Sequence, residues 1–316
     1  MNLETQLYKA QTIGNIEPIE YMIPYPGTQA IIEGQIIKFG EKSIFSDYNL
    51  KNIEFYQLIQ KMANWLTEQG INPKDNVIIE ENSSLQSLLL LYGLWHMGAK
   101  GIFLEKSNVK INKKLGAKRI KFEIDFKKTI MSYSPVFIPK YKALLDEAAI
   151  IMITEDKSIF LSHYSLLVNA NSIQKALDLR SGMNFYCDLK ANSTFWVVIC
   201  AILPIYTMCP FTKKDPHYTF TYDEIDQKRG YRLRKDWENI ENFKVNDIAL
   251  CKENSAVLAV KNNPIHLTDF VVKKNELWIK GHSLMSGYLE EGLMSFQDNY
   301  LIINSNQAKS FKTSPA

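Results

Sequence analysis

A chain of 316 residues with 46% hydrophobic and 12% aromatic content can bury a sizeable core, which excludes an intrinsically disordered chain and suits two or three packed subdomains. The net charge of +3 is too mild for a nucleic-acid binder, which carries a one-sided basic excess, so no nucleic acid is expected as a partner.

The N-terminus, MNLETQLYKAQ, carries acid early and has no apolar run, so it does not read as a secretory signal. From Asn52 to Leu104 the pattern is clear. Leu58, Ile59, Met62, Ala63 and Leu66 recur at helical spacing, Gly70 stops the helix, and NPKDN turns the chain into a strand at Val77–Ile79. A second helix is capped by Asn82, Ser83 or Ser84, ends at Gly98, and leads into a strand at Ile102–Leu104. Helices alternating with short apolar strands predict a parallel sheet covered on both faces. Ile120, Phe122, Ile124 and Phe126 alternate with Lys121, Glu123 and Asp125, which predicts a strand with one wet face.

Next comes a strand from Ile150 to Thr154, a tight turn at Glu155-Asp156-Lys157, a strand from Ser158 to Leu161, and a helix capped by Ser162. Residues Ala191 to Phe211 carry no charge, but Pro204 and Pro210 interrupt them, so a buried helix followed by a short strand is preferred to a membrane span. Cys187, Cys200, Cys209 and Cys251 form no C-x-x-C pair, which fits a reducing cytoplasm and argues against a disulfide framework or zinc. Runs such as AVLAV, FVV and ELWIK predict a small, mostly β subdomain from Ala256 to Ile303.

Three segments, Asn52–Glu105, then AAIIMIT followed by LSHYSLLVNAN, then ELWIKGHSLMSGYLEEG, stand in the order in which similar segments occur in the adenylate-forming (acyl-CoA synthetase, AMP-binding) superfamily, which the chain resembles. Asn52–Glu105 is similar to its first helix-strand-helix-strand unit. AAIIMIT followed by LSHYSLLVNAN resembles the flanks of its phosphate-binding loop. ELWIKGHSLMSGYLEEG, the most specific match, looks like its signature G-E-L-x-x-x-G-x-x-x-M-x-G-Y. The resemblance covers about half of the chain and implies two stacked α/β subdomains, with layered sheets and helices on both faces, plus a small β-barrel-like subdomain. The expected divisions are 1–147, 148–255 and 256–316, with the family's mobile C-terminal domain and its catalytic lysine expected to be absent. Such enzymes activate a carboxylic acid with ATP and magnesium and pass the acyl group to a thiol of CoA or of a carrier protein.

Phosphate handling needs backbone N–H donors from a Gly-rich loop, a basic side chain and a metal-binding carboxylate. Between Thr154 and His163 no glycine remains, and Glu155 and Asp156 put negative charge where an anion would be cradled. Lys157 stands where the family's loop lysine would stand, although a lysine in a hairpin turn is by default solvated. Glu253 is the candidate for the acid of the Tyr-Gly-x-Thr-Glu motif, with a surface-loop glutamate as the bland reading. His163 matches a family histidine, with packing or capping as the alternative. Lys157 and His163 are thus the catalytic candidates, and Glu253, Glu276 and Tyr288 the cofactor-binding ones. The ribose-binding Asp of the family falls on Ile303-Asn304-Ser305 and is missing.

Two other constellations are weaker. Gly281-His282-Ser283-Leu284-Met285 has part of a hydrolase nucleophile elbow but lacks its last glycine and a following helix. The five histidines show no metal-ligand spacing, so no metal is expected. The basic run from Lys106 to Lys128 reads as a solvated face or as a docking surface for an acidic acyl carrier protein.

The sequence therefore leads to a degenerate relative that does not adenylate by itself. It would serve as a binding or scaffolding module for an acyl group, an acyl carrier protein or a partner enzyme, in the setting of fatty-acid or polyketide metabolism, with a homo-oligomer also open. The alternative is an ATP-dependent acid-thiol ligase completed by a separate chain, with ATP, magnesium and CoA as its cofactors.

Overall fold

The computed structural model describes residues 2–80, 84–106, 109–111, 113–121, 126–224 and 230–304. Three sheets organise it. In the first, strands Asn76–Ile79, Lys100–Leu104 and Ala148–Ile153 run parallel, and Ser158–Ser162 adds antiparallel to the last of them. The helices predicted from the apolar spacing form here as Asn52–Glu68 and Ser84–His96. Phe55, Leu58, Ile59, Met62 and Leu66 are buried along one face of the first helix, while the second buries nearly all its side chains because it lies inside the core. The two approach closely at Gly93, where an added Cβ would stand 2.5 Å from Met62 Cγ.

The second sheet runs parallel through Phe185–Cys187, Tyr218–Thr221, Gly230–Arg234 and Asp247–Leu250, then antiparallel through Val257–Val260 and Asn263–Pro264. The apolar stretch forms a helix that packs on helix His163–Ala176. Thr194–Trp196, a π segment Val197–Ile202 and Leu203–Thr207 are fully buried, opened by the Ser193 hydroxyl on the amide of Trp196. The wider π turn, in which Leu203 N–H donates to the carbonyl of Val198, ends at Pro204, which has no amide to give. No helix among the described residues is long and apolar enough to cross a membrane. The expected short strand reduces to bridges from Phe211 to Phe45 and Phe185.

The third sheet is four-stranded and antiparallel: Thr268–Lys273, Glu276–Gly281, Tyr300–Asn304 and Ser295–Gln297. Helix Leu3–Gln11 packs over it.

Sheet membership runs across positions 147/148 and 255/256. Residues 148–162 extend the first sheet, because the apolar run of Ala148–Ile153 continues the core made by Lys100–Leu104. Strand Val257–Val260 stays with the second sheet, and Gly287–Tyr288 returns to the first. Of the alternating strand read from Ile120 to Phe126 only the ends are described: a strand forms just before it at Lys118–Arg119, and Phe126 opens helix Phe126–Met131. Residues 122–125, like the cap candidates Asn82 and Ser83 and like Ser305, lie outside the described residues.

Candidate functional site

The hairpin forms where the sequence put it. Thr154 N–H donates to the carbonyl of Lys157 at 2.9 Å, and Ser162 caps helix His163–Ala176 by accepting from the amide of Ser165. The turn disposes of its own acids. Thr154 Oγ1 donates to Asp156 at 2.8 Å, and Glu155 pairs with Lys106 at 2.9 Å on the surface.

Lys157 points the other way, into the protein. Its Nζ lies 2.5 Å from Glu253 Oε1, with side chains 8% and 7% exposed respectively, so neither the solvated lysine nor the surface glutamate of the bland readings is present. Tyr288 closes the group: its hydroxyl donates to Glu253 Oε1 at 3.1 Å, and Lys157 Nζ sits 3.5 Å from that hydroxyl and 5.1 Å from the ring centroid. Cys251 Sγ donates to the other carboxylate oxygen at 3.5 Å. Burial would push the Glu253 carboxyl up, but the ammonium beside it outweighs burial and brings it down to about 2. The Lys157 ammonium is held above its ordinary range by Glu253 despite burial. Burial, and then Glu253, push the Tyr288 phenol up.

A second carboxylate completes the arrangement. Glu290 accepts from the amide of Ser158 at 2.7 Å and from its hydroxyl at 3.0 Å. The donors that follow the turn, where the resemblance puts phosphate binding, are therefore already bonded to an anion of the chain itself. Next door, Lys252 pairs with Glu105 at 2.5 Å, tying the second sheet to the end of strand Lys100–Leu104. Among the described residues no three His, Cys, Asp or Glu side chains converge as a metal site.

Of the sequence candidates, the fold brings together Lys157, Glu253 and Tyr288 and leaves out the other two. Glu276 stays in the third sheet and accepts from Trp278 Nε1 at 3.0 Å. His163 is 1% exposed, contacts Thr28 Oγ1 at 2.7 Å and meets the Trp95 ring edge-on; burial lowers it to about 4, so at neutral pH it is an uncharged core group. Sequence reasoning missed Glu290, whose only signal was its place two residues after the signature tyrosine, and Cys251.

The remaining motifs resolve structurally. Ser283 is fully buried, which removes the exposed nucleophile that an elbow needs, and His282 is tied to Tyr164 at 2.6 Å. The basic run is partly neutralised in place: Lys118 pairs with Asp75 and Arg119 with Glu80. The signature glycine Gly281 has φ +143°, and a Cβ there would lie 2.3 Å from the carbonyl oxygen of Leu267.

No family model matches the sequence, and no curated protein matches it either. Solved structures do match the fold. A long-chain-fatty-acid-CoA ligase (FadD1) from Archaeoglobus fulgidus superposes with TM-score 0.67 at 13% identity over 90% of this chain and 83% of its own. An artificially fused adenylation-PCP di-domain, NpsA-ThdA from Klebsiella oxytoca, gives TM-score 0.69 at 14% identity over 90% of this chain and 68% of its own. The NpsA N-terminal subdomain, in complex with 3-hydroxyanthranilyl-AMSN, gives 0.66 at 14% identity over 89% and 95%.

Proposed function

We propose that this chain, which has the fold of the N-terminal domain of adenylate-forming enzymes, is a non-adenylating member of that architecture and acts as a binding or scaffolding module. The observation that carries the reading is the buried Lys157–Glu253 pair. In an enzyme that handles magnesium and triphosphate, a carboxylate must be open to the cation and loop donors open to the phosphates. Here the ammonium of Lys157 occupies the carboxylate, and Glu290 occupies the amide and hydroxyl of Ser158. Each role is filled by a tethered group of matching charge, so ATP with magnesium would have to displace both. Breaking the buried pair costs several kcal/mol, which the new nucleotide and metal contacts would have to offset.

The module's partner class is an acyl carrier protein or an enzyme that handles acyl thioesters. In support, the adenylation domain of the Klebsiella di-domain is joined to a carrier protein. Among the described residues of the Lys106 to Lys128 run, Lys110, Lys113, Lys114 and Lys121 are exposed and would offer a basic surface to an acidic partner.

One observation favours the ligase alternative. The NpsA N-terminal subdomain alone was solved with 3-hydroxyanthranilyl-AMSN, so in that protein this part of the fold holds its ligand unaided. Carboxylate-dependent pyrophosphate exchange separates the two readings. The binding-module reading expects exchange at blank level over a panel of aliphatic and aromatic acids; acid-dependent exchange above blank would establish a ligase.

A further inference from the structure

Between helix Leu3–Gln11 and helix Ala30–Phe39 the chain runs as a strap against helix His163–Ala176, with Ile13, Tyr21 and Ile23 leaning on Tyr164 and Val168. From Gln11 to Pro26 no residue of the strap is buried, so apolar packing alone holds it weakly and polar contacts carry much of its attachment. One of its residues is strained. Ile19 has φ +73°, a left-handed backbone that a β-branched side chain resists and that persists only while its surroundings enforce it.

His282 is the centre of those contacts. Its ring is buried, with Nε2 3.1 Å from the carbonyl oxygen of Ile16 and Nδ1 2.6 Å from the Tyr164 hydroxyl. A carbonyl only accepts, so Nε2 carries the hydrogen, and Nδ1 of the neutral ring accepts from Tyr164. The amides of Ile19 and Tyr21 face the same Tyr164 hydroxyl. One neutral imidazole thus joins the strained turn to the helix. Further along, the Tyr21 hydroxyl donates to Asn171 Oδ1 at 3.1 Å and accepts from Lys175 Nζ at 2.7 Å.

A second proton would sit on Nδ1 and point at a hydroxyl that already donates to it, so Tyr164 would have to give up that bond. The titratable groups around the ring and Tyr164 are Glu20 and Tyr21 from the strap and His266 from the segment before strand Thr268–Lys273, with Lys175 next to His266. Burial holds the ring below its ordinary range, outweighing the Ile16 carbonyl and Glu20, which favour the charge. With the strap open the ring meets water and titrates at its ordinary value near 6.5, so opening takes up a proton and gains as pH falls through that value. We propose that the strap is a proton-operated latch: a single charge on His282 releases residues 12–26 from helix His163–Ala176 while the three sheets stay folded. The latch does not depend on whether the chain adenylates.

Hydrogen exchange of the intact chain, read by mass spectrometry on peptides from residues 12–26, tests it. With rates corrected for the intrinsic effect of pH on exchange, protection of the strap should fall by about fivefold or more between pH 7.5 and pH 5.5. Helix Asn52–Glu68 should stay protected at both values. His282→Gln should make the strap's protection independent of pH over this range, whereas His163→Gln and His266→Gln should leave the fall in place. Where His282→Gln does not fold, the parent chain alone decides: the His282 ring followed by NMR should titrate with the same midpoint as the loss of strap protection. Constant protection in the parent chain, loss of protection in helix Asn52–Glu68 together with the strap, an undiminished fall in His282→Gln, a fall abolished by His266→Gln, or midpoints more than about one pH unit apart would overturn the proposal.

Discussion

The ammonium of Lys157 and the carboxylate of Glu253 stand 96 positions apart in sequence and 2.5 Å apart in space, each less than a tenth exposed. One belongs to a hairpin of the first sheet and the other to the short helical turn after strand Asp247–Leu250 of the second, so the pair fastens two sheets together. Removing one partner strands the other charge in the interior. Glu253→Leu or Lys157→Met alone should therefore lower unfolding stability by about 3–5 kcal/mol, whereas the double variant should recover most of the loss. Urea denaturation of the four proteins measures the coupling; additive losses would mean that the pair is not the unit described.

The same pair sets an acid limit. Because the Glu253 carboxyl is held at about 2 in the folded chain, below its ordinary value, its contribution is fully present above the unfolded value near 4.5. It is lost as pH falls through 2 and amounts to about 3 kcal/mol. Unfolding free energy followed from pH 5 to pH 2 should drop by this amount more in the parent chain than in Glu253→Gln.

His163 acts in a different window. Its folded value of about 4 lies below its unfolded value near 6.5, so unfolding takes up a proton between the two. Stability is then complete above pH 6.5 and declines as pH falls towards 4. Replacing His163 with Gln, which can keep a hydrogen bond to Thr28 Oγ1, should flatten that part of the profile and leave the leg below pH 4 in place.

Gly281 illustrates a signature residue kept for its backbone. At φ +143°, with the Leu267 carbonyl oxygen 2.3 Å from where a Cβ would be, Gly281→Ala must move the strand or the adjoining loop. A loss of more than about 2 kcal/mol is expected. Gly287→Ala, whose added carbon would meet nothing closer than 3.9 Å, should cost less even though its φ is +134°. Thermal or urea unfolding of the two variants gives the order directly.

Local features were legible in the sequence because their causes are local. The Ser158–Ser162 hairpin, the Ser162 cap and the helix Asn52–Glu68 follow from alternation, capping and spacing within a few residues. The environment of Lys157 was not legible, since a hairpin lysine is solvated unless a distant acid is folded over it, and nothing near position 157 announces Glu253 or Tyr288. Glu276 was misplaced for the converse reason. Its neighbours in the signature suggested a shared site, but Glu276 and Tyr288 belong to strands of different sheets. At Phe126, where alternation pointed to the end of a strand, a helix starts.

The central claim is that this fold has filled its nucleotide site with its own charges, Lys157 on Glu253 and Glu290 on Ser158. Isothermal titration of the intact chain with ATP and magnesium tests it most directly. The account predicts no binding heat up to high micromolar nucleotide; stoichiometric binding with a micromolar Kd would contradict it.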